Sequence, residues 1–500
     1  MHYSLDNLSH SLRHFFIGKA ASAITALLLV VLLARWLPKE DYAVYISLQA
    51  ILVIVSYVTS FGINQSLLRY IPELRVASNN LPLYRMVVRS LLTRSLAIGA
   101  GFLIVWALLP WLGRWLNLAQ WQDWVSVYLL VGWLRLSGQF LGRIMETLLW
   151  QKQSQYSQAI GSFIRLVAIA LAATYATVDI PTLFLIELAS ESLIVMFLAA
   201  GYVRQWHTDP NRNEGDPDWW RTHRDRSRRY AFWSYLSTLT SVLASSAPYR
   251  LVAAKMLLPE GVALYGFASG MSDMLNRYTP TRLMQSTIRS VLVARFAETK
   301  NRDDVIAKLS LNFRANALML GLLAALTLSS AHPILNWLTH GKYADADMLL
   351  ASLIGILLLD VMRAQLEMFA EVMEQNQWVF AGGFMLLLGW VSTIPLSSLF
   401  GMWGLLIGNA IGEILAILLM SFGLKVQVVM SLLSVRMLIF LALLCIFEYV
   451  VLLLSSTIHS NVIYSTSVTI ITCVVLLWFV APFSGDEVRK LRMLLRGRSS

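Results

Sequence analysis

At 500 residues the chain is long enough for several soluble domains, yet 57% of it is hydrophobic, only 14% is charged and its mean hydropathy is +0.61. Soluble proteins carry about 25% charged residues, so a fold with a polar surface all round is excluded and hydrocarbon must solvate much of the chain. The net charge of +11 then has to sit on aqueous ends, and two cysteines, Cys445 and Cys473, supply neither a disulfide framework nor a zinc cluster.

The first residues carry His2, His10, Arg13 and His14 without the spacing of a metal site. They lead into an apolar run too long for a signal-peptide core and without a small-residue cleavage site, so it reads as a retained first span. A bilayer core of about 30 Å takes about 20 helical residues. Runs of that size fall near 15–37, 43–68, 90–112, 122–149, 156–177, 180–203, 230–257, 262–296, 312–338, 346–372, 377–399, 402–423, 433–456 and 460–483. The reading is an all-α polytopic membrane protein of about 14 transmembrane helices. The runs 122–149 and 262–296 are long and partly polar, which predicts tilt or projection beyond the membrane.

Orientation follows from the basic residues. With the N-terminus inside, the inward ends hold 29 Lys and Arg and the outward ends 6. That bias persists to the last span, which supports an even count and places both termini on the cytoplasmic side. The segment 204–229 is the longest connection. Its run Arg221, Arg224, Arg226, Arg228 and Arg229 reads as juxtamembrane charge facing anionic lipid headgroups, not as a nucleic-acid site.

An internal repeat accompanies the spans. At an offset of 220, Ala34-Arg35-Trp36-Leu37-Pro38-Lys39-Glu40-Asp41-Tyr42-Ala43-Val44-Tyr45 lies over Ala254 to Tyr265 with 5 of 12 positions identical. Gln153 to Tyr156 echoes Gln375 to Trp378 at offset 222. The expected organisation is two pseudo-symmetric six-helix bundles of the same orientation. They would occupy 1–203 and 230–424, joined by a basic cytoplasmic linker over 204–229. Residues 425–500 would add two helices and a basic tail.

The run Leu33 to Tyr45, followed by Phe61-Gly62-Ile63-Asn64-Gln65-Ser66-Leu67-Leu68-Arg69-Tyr70-Ile71-Pro72-Glu73, resembles the opening of bacterial polysaccharide-biosynthesis flippases. These belong to the multidrug/oligosaccharidyl-lipid/polysaccharide exporter superfamily, whose usual pattern has Gly where this chain has Ala43. The resemblance implies a non-enzymatic carrier that moves an undecaprenyl-pyrophosphate-linked oligosaccharide from the inner to the outer leaflet by alternating access. Expected partners are that substrate, membrane lipids and polysaccharide polymerase or export proteins, with no cofactor. A lipid II flippase and a cation-coupled multidrug efflux transporter are the rival readings within the superfamily. A membrane enzyme lacks support: no Walker-type loop or paired His-Glu metal motif occurs, and no outward connection is long enough for a catalytic domain.

Five arginines lie inside predicted spans: Arg135, Arg165, Arg277, Arg282 and Arg363. An arginine in hydrocarbon costs at least about 2.5–3.5 kcal/mol and so faces a cavity or a partner. Its planar fork suits a pyrophosphate. Arg277 and Arg282 are the first candidates for that role, Arg135, Arg165 and Arg363 the next, and Arg250 a possible guide outward. The competing reading pairs Arg277 with Asp273, and Arg363 with Asp360 and Glu367, at helical spacings of three and four. Coupling to H+ or Na+ would need an intramembrane carboxylate. Glu187 and Glu191, one turn apart, are candidates, with Asp273 and Asp360.

Overall fold

The computed structural model describes residues 5–76, 79–116, 121–148, 150–175, 178–208, 212–279, 281–282, 301–373 and 375–425, with isolated positions beyond these. The predicted spans 433–456 and 460–483, with Cys445 and Glu448, fall largely or wholly outside them. The described chain is helical throughout, and eight of its helices are long and apolar enough to cross a membrane. It folds as two compact units, Met1–Gly266 and Phe267–Ser500.

In the first unit α1 (Leu5–Trp36), α2 (Lys39–Val58), α3 (Ile63–Val76), α4 (Asn80–Ala107), α5 (Leu109–Trp115), α6 (Gln122–Thr147), α7 (Gln151–Tyr175) and α8 (Ile180–Thr208) follow one another. A short α9 (Trp219–Thr222), α10 (Arg224–Ser241), α11 (Ser246–Met256) and the start of α12 (Pro259–Arg277) complete it. Helix α6 packs on α4 and α8, α7 on α1 and α8, and α11 on α2. In the second unit the rest of α12 is followed by α13 (Arg302–Thr339), α14 (Asp347–Val372), α15 (Asn376–Phe400) and α16 (Met402–Leu424). Helix α14 packs on α13 and α16. Helices α15 and α16 touch backbone to backbone, because a Cβ on Gly389 would lie 2.3 Å from the Gly412 Cα. In hydrocarbon such close contact replaces the hydrophobic drive between helices.

Three spans that the sequence reads as continuous are broken. The span at 43–68 is cut by a turn at Thr59–Gly62, where Phe61 (φ 44°) and Gly62 (φ 68°) are both left-handed. A side chain on Gly62 would meet the Ala231 carbonyl of α10 at 2.0 Å, so only glycine fits. The span at 230–257 is cut at Val242–Ser245. Pro248 cannot donate to the carbonyl four residues back and collides with it, and Ser245 is accordingly extended (ψ 161°). The span at 262–296 is interrupted at Tyr278–Thr279, ahead of Pro280, which biases Thr279 away from helix, and Thr281 and Arg282 are helical again. Tyr278 and Thr279 donate backbone bonds to the Leu275 and Asn276 carbonyls, tightening the last turn.

The repeat is visible in the backbone. Leu37 and Leu257 donate to Leu33 and Ala253 at 3.0 and 2.9 Å, and Tyr42 and Val262 to Pro38 and Leu258 at 2.9 and 3.0 Å. The same hydrogen bonds recur 220 residues apart. The two turns meet through Lys39 Nζ and Glu260 Oε1, 3.4 Å apart.

The segment 204–229 is tied down along part of its length. The Leu81 amide donates to the Glu214 carbonyl at 2.8 Å, Trp220 Nε1 donates to Pro82 at 3.0 Å, and Arg226 grips Glu73 with two bonds of 3.0 and 3.2 Å. Tyr70 is fully buried among Trp219, Trp220 and Tyr230. Arg221, Arg224, Arg228 and Arg229 stay exposed.

Candidate functional site

Each unit brings several of its intramembrane charges into a cluster. In the first, Glu187 and Glu191 stand one turn apart on α8 and so share a face. Arg135 on α6 reaches both, through Nη2 to Glu187 Oε2 at 3.0 Å and Nε to Glu191 Oε1 at 2.7 Å. Arg165 on α7 approaches the same carboxylates at 3.6 and 3.2 Å. The Tyr45 hydroxyl on α2 donates to Glu187 Oε1 at 2.9 Å and accepts from Gln49 Nε2 at 2.8 Å. Two guanidinium groups thus meet two carboxylates. Arg135 and Glu187 are buried, so their attraction offsets a desolvation cost of several kcal/mol per ion. The arrangement ties α2, α6, α7 and α8 together and leaves no arginine of this cluster unengaged. Repulsion between Glu187 and Glu191, expected from their spacing, is offset by both arginines.

The second unit's cluster has unequal numbers of the two charges among its described members. Asp360 on α14 accepts from Arg282 Nη2 at 2.7 and 3.0 Å and from Asn276 Nδ2 at 3.2 Å. Arg363 bonds to Asp360 and Glu367 on its own helix, the two partners expected from spacing, and through Nε to Glu413 on α16 at 2.7 Å. Two arginines and three carboxylates leave one negative charge over among these five groups. A neutral network lies beside them. Thr281 donates its backbone N–H to Asn316 at 3.2 Å, its hydroxyl accepts from Asn312 (3.1 Å) and Gln365 (3.2 Å), and Asn312 donates to Gln365 at 3.0 Å. These amides hold the broken end of the α12 span, where freed backbone groups need partners in the absence of water.

Arg277 corrects one expectation. It was placed deep in a continuous helix with Asp273 as its alternative partner. It is instead the exposed last residue of α12 and makes no ion pair among the described residues, so the Asp273–Arg277 bridge is not formed. Arg282 is partly exposed and engaged by Asp360. Arg250 is buried on α11. Sequence reasoning missed Tyr45, Gln49, Asn276, Asn312 and Gln365, which carry no charge. It also missed Arg94, which it counted with the cytoplasmic flank and which is buried midway along α4. Amides and hydroxyls inside apolar runs were the available signal.

The model of the family described as polysaccharide biosynthesis protein matches residues 14–280. No curated protein sequence matches the chain. Among solved structures, the lipid II flippase MurJ in an inward closed conformation superposes with a TM-score of 0.68 at 13% identity, covering 93% of this chain and 97% of that one. An inward-facing multidrug resistance transporter of the MATE family and MOP superfamily gives 0.61 at 14% identity, over 82% and 95%. A MOP superfamily transporter from Pyrococcus furiosus, whose binding pocket is described as having reversed polarity, gives 0.53 at 15% identity, over 85% and 95%. At such identities these likenesses establish the fold, that of the MOP transporters.

Proposed function

The chain belongs to the polysaccharide biosynthesis protein family, and from that premise we propose that it is a flippase for a polyprenyl-pyrophosphate-linked oligosaccharide. It would carry this substrate from the inner to the outer leaflet of a bacterial cytoplasmic membrane by alternating access, for exopolysaccharide, O-antigen or capsule export. The observation that carries the reading is the break in the α12 span. It leaves Arg277 exposed and without an ion-pair partner among the described residues, with Arg282 five positions on. A guanidinium held at a helix end can take a phosphate by paired charge-assisted bonds, and its permanent charge offsets the desolvation of the headgroup. The tethering of Arg135, Arg165 and Arg363 to carboxylates favours a positioning role for them over direct contact.

Coupling to H+ or Na+ is assigned to the unbalanced cluster, with Asp360, Glu367 and Glu413 as the group that takes up the cation. An excess carboxylate in hydrocarbon is costly, and a bound cation would remove that cost.

The test is export in a strain lacking the gene. Arg277→Ala should abolish polymer export, Arg277→Lys should restore part of it, and neither should alter the yield of folded protein. Undiminished export by Arg277→Ala would refute the assignment. A deletion strain that exports polymer normally but fails in cell-wall synthesis would move the reading to lipid II.

A further inference from the structure

Arg94 is 3% exposed and sits about 21 Å along α4 from its first residue at 1.5 Å per residue, just inside the predicted span 90–112. It faces no carboxylate within ion-pair distance among the described residues. Nη1 donates to the Thr59 hydroxyl at 2.9 Å and Nη2 to the Ser56 carbonyl at 2.6 Å, so the guanidinium is aimed into the break between α2 and α3. Its Nε is buried and has no acceptor. These acceptors and the Ser56 hydroxyl, 3.5 Å from Nη2, are all neutral and do not neutralise a cation in hydrocarbon.

The break offers more than Arg94. Helix α3 begins at Ile63 and runs 14 residues, so its positive dipole end lies at the same turn, where the Ile63 and Ser66 amides already donate to the Ser60 and Gly62 carbonyls. Ser60 Oγ and Asn64 Oδ1 are also buried without partners. Donors and acceptors left open around an uncompensated arginine match a phosphate bearing hydroxyl-rich substituents. The pattern also recurs within the chain. At the repeat offset of 220, Thr59 falls on Thr279 in the second break, and Ser90-Leu91, Arg94 and Ala97 fall on Ser310-Leu311, Arg314 and Ala317. In the second unit too, the helix carrying that arginine, α13, supplies the break with polar bonds, from Asn312 and Asn316.

We propose that the α2–α3 break and Arg94 form an anion site for the diphosphate of the lipid-linked substrate, distinct from Arg277. This rests on the flippase reading. The alternative is that Arg94 only caps the carbonyl end of α2.

The experiment uses the full chain in lipid nanodiscs, with three probes: undecaprenyl diphosphate, undecaprenol and inorganic pyrophosphate. Wild type should bind undecaprenyl diphosphate and not undecaprenol. Arg94→Gln should lose about 10–100-fold in affinity, the equivalent of one to two charge-assisted bonds. Arg94→Lys keeps the charge but cannot hold Ser56 and reach a phosphate together, so it should also bind more weakly. A capping role predicts lower melting temperature with unchanged affinity. Binding that survives Arg94→Gln overturns this inference alone, and so does unchanged affinity in Arg94→Lys should the glutamine variant fail to fold. Pyrophosphate that competes as well as the lipid would overturn the lipid assignment in favour of a free phosphate ligand. Wild type that binds neither diphosphate overturns both this inference and the function beneath it.

Discussion

Removing Arg135 is the most direct test of the balanced cluster. Its Nε and Nη2 hold Glu191 and Glu187 at 2.7 and 3.0 Å, and both carboxylates are buried. Arg135→Gln leaves two carboxylates against Arg165 alone, whose contacts are longer at 3.2 and 3.6 Å. Deleting one partner of a buried ion pair costs about 3–5 kcal/mol, since the other charge stays desolvated. Adding Glu191→Gln removes the surplus charge, so the double variant should recover at least about half of that loss, a coupling in the range measured for residues in one network. The assay is a double-mutant cycle on detergent-purified protein followed by thermal or chemical unfolding. Strictly additive losses would show that the four groups do not act as a unit, and Arg135 would return to the list of groups free to meet substrate.

The other expectations are briefer. Glu367→Gln should leave the protein folded but make polymer export insensitive to an imposed pH or sodium gradient; a retained gradient response would remove Glu367 from coupling. Gly389→Leu should prevent folding, because its Cβ falls 2.3 Å from the Gly412 backbone, whereas Gly355→Ala, with nothing within 4 Å, should be tolerated and gain about 1 kcal/mol of helix propensity; comparable expression of both would refute the packing argument. A cysteine placed at Asn213, exposed in the 204–229 segment, should resist impermeant thiol reagents added outside spheroplasts, and strong labelling would invert the topology.

The sequence made the helical class, most span positions and the Arg363 pairs legible, because these depend on local periodicity and on charges that stand out in apolar runs. It did not reveal that three spans are discontinuous. Pro248 and Pro280 were visible, but a hydropathy window averages over a single proline. The break at Phe61-Gly62 has no proline at all and is fixed by the approach of Ala231 from a distant helix. The cross-helix bonds of Arg135 to Glu191 and of Arg363 to Glu413 are separated by 56 and 50 residues, and no spacing rule connects them. Arg94 was lost for a further reason. Its neighbours Arg85 and Arg89 made it look like the last member of a flanking basic group, and only the course of α4 puts it in the interior.

The repeat gives these features a common origin. A helix interrupted in hydrocarbon must find partners for the backbone groups it frees, so a break that persists in both halves has to keep a polar neighbour in both. The first break is met by the Tyr235 hydroxyl on the Val58 carbonyl, Gln65 on Thr238, and Arg94. The second is met by Asn276, Asn312, Asn316 and Gln365, with Asp360 and Arg282 alongside. The backbone device is thus shared while the side chains serving it have diverged, from hydroxyls, an amide and Arg94 in one half to amides with Asp360 and Arg282 in the other. Duplication of one broken helix, followed by substitution of the polar groups around each break, accounts for both arrangements.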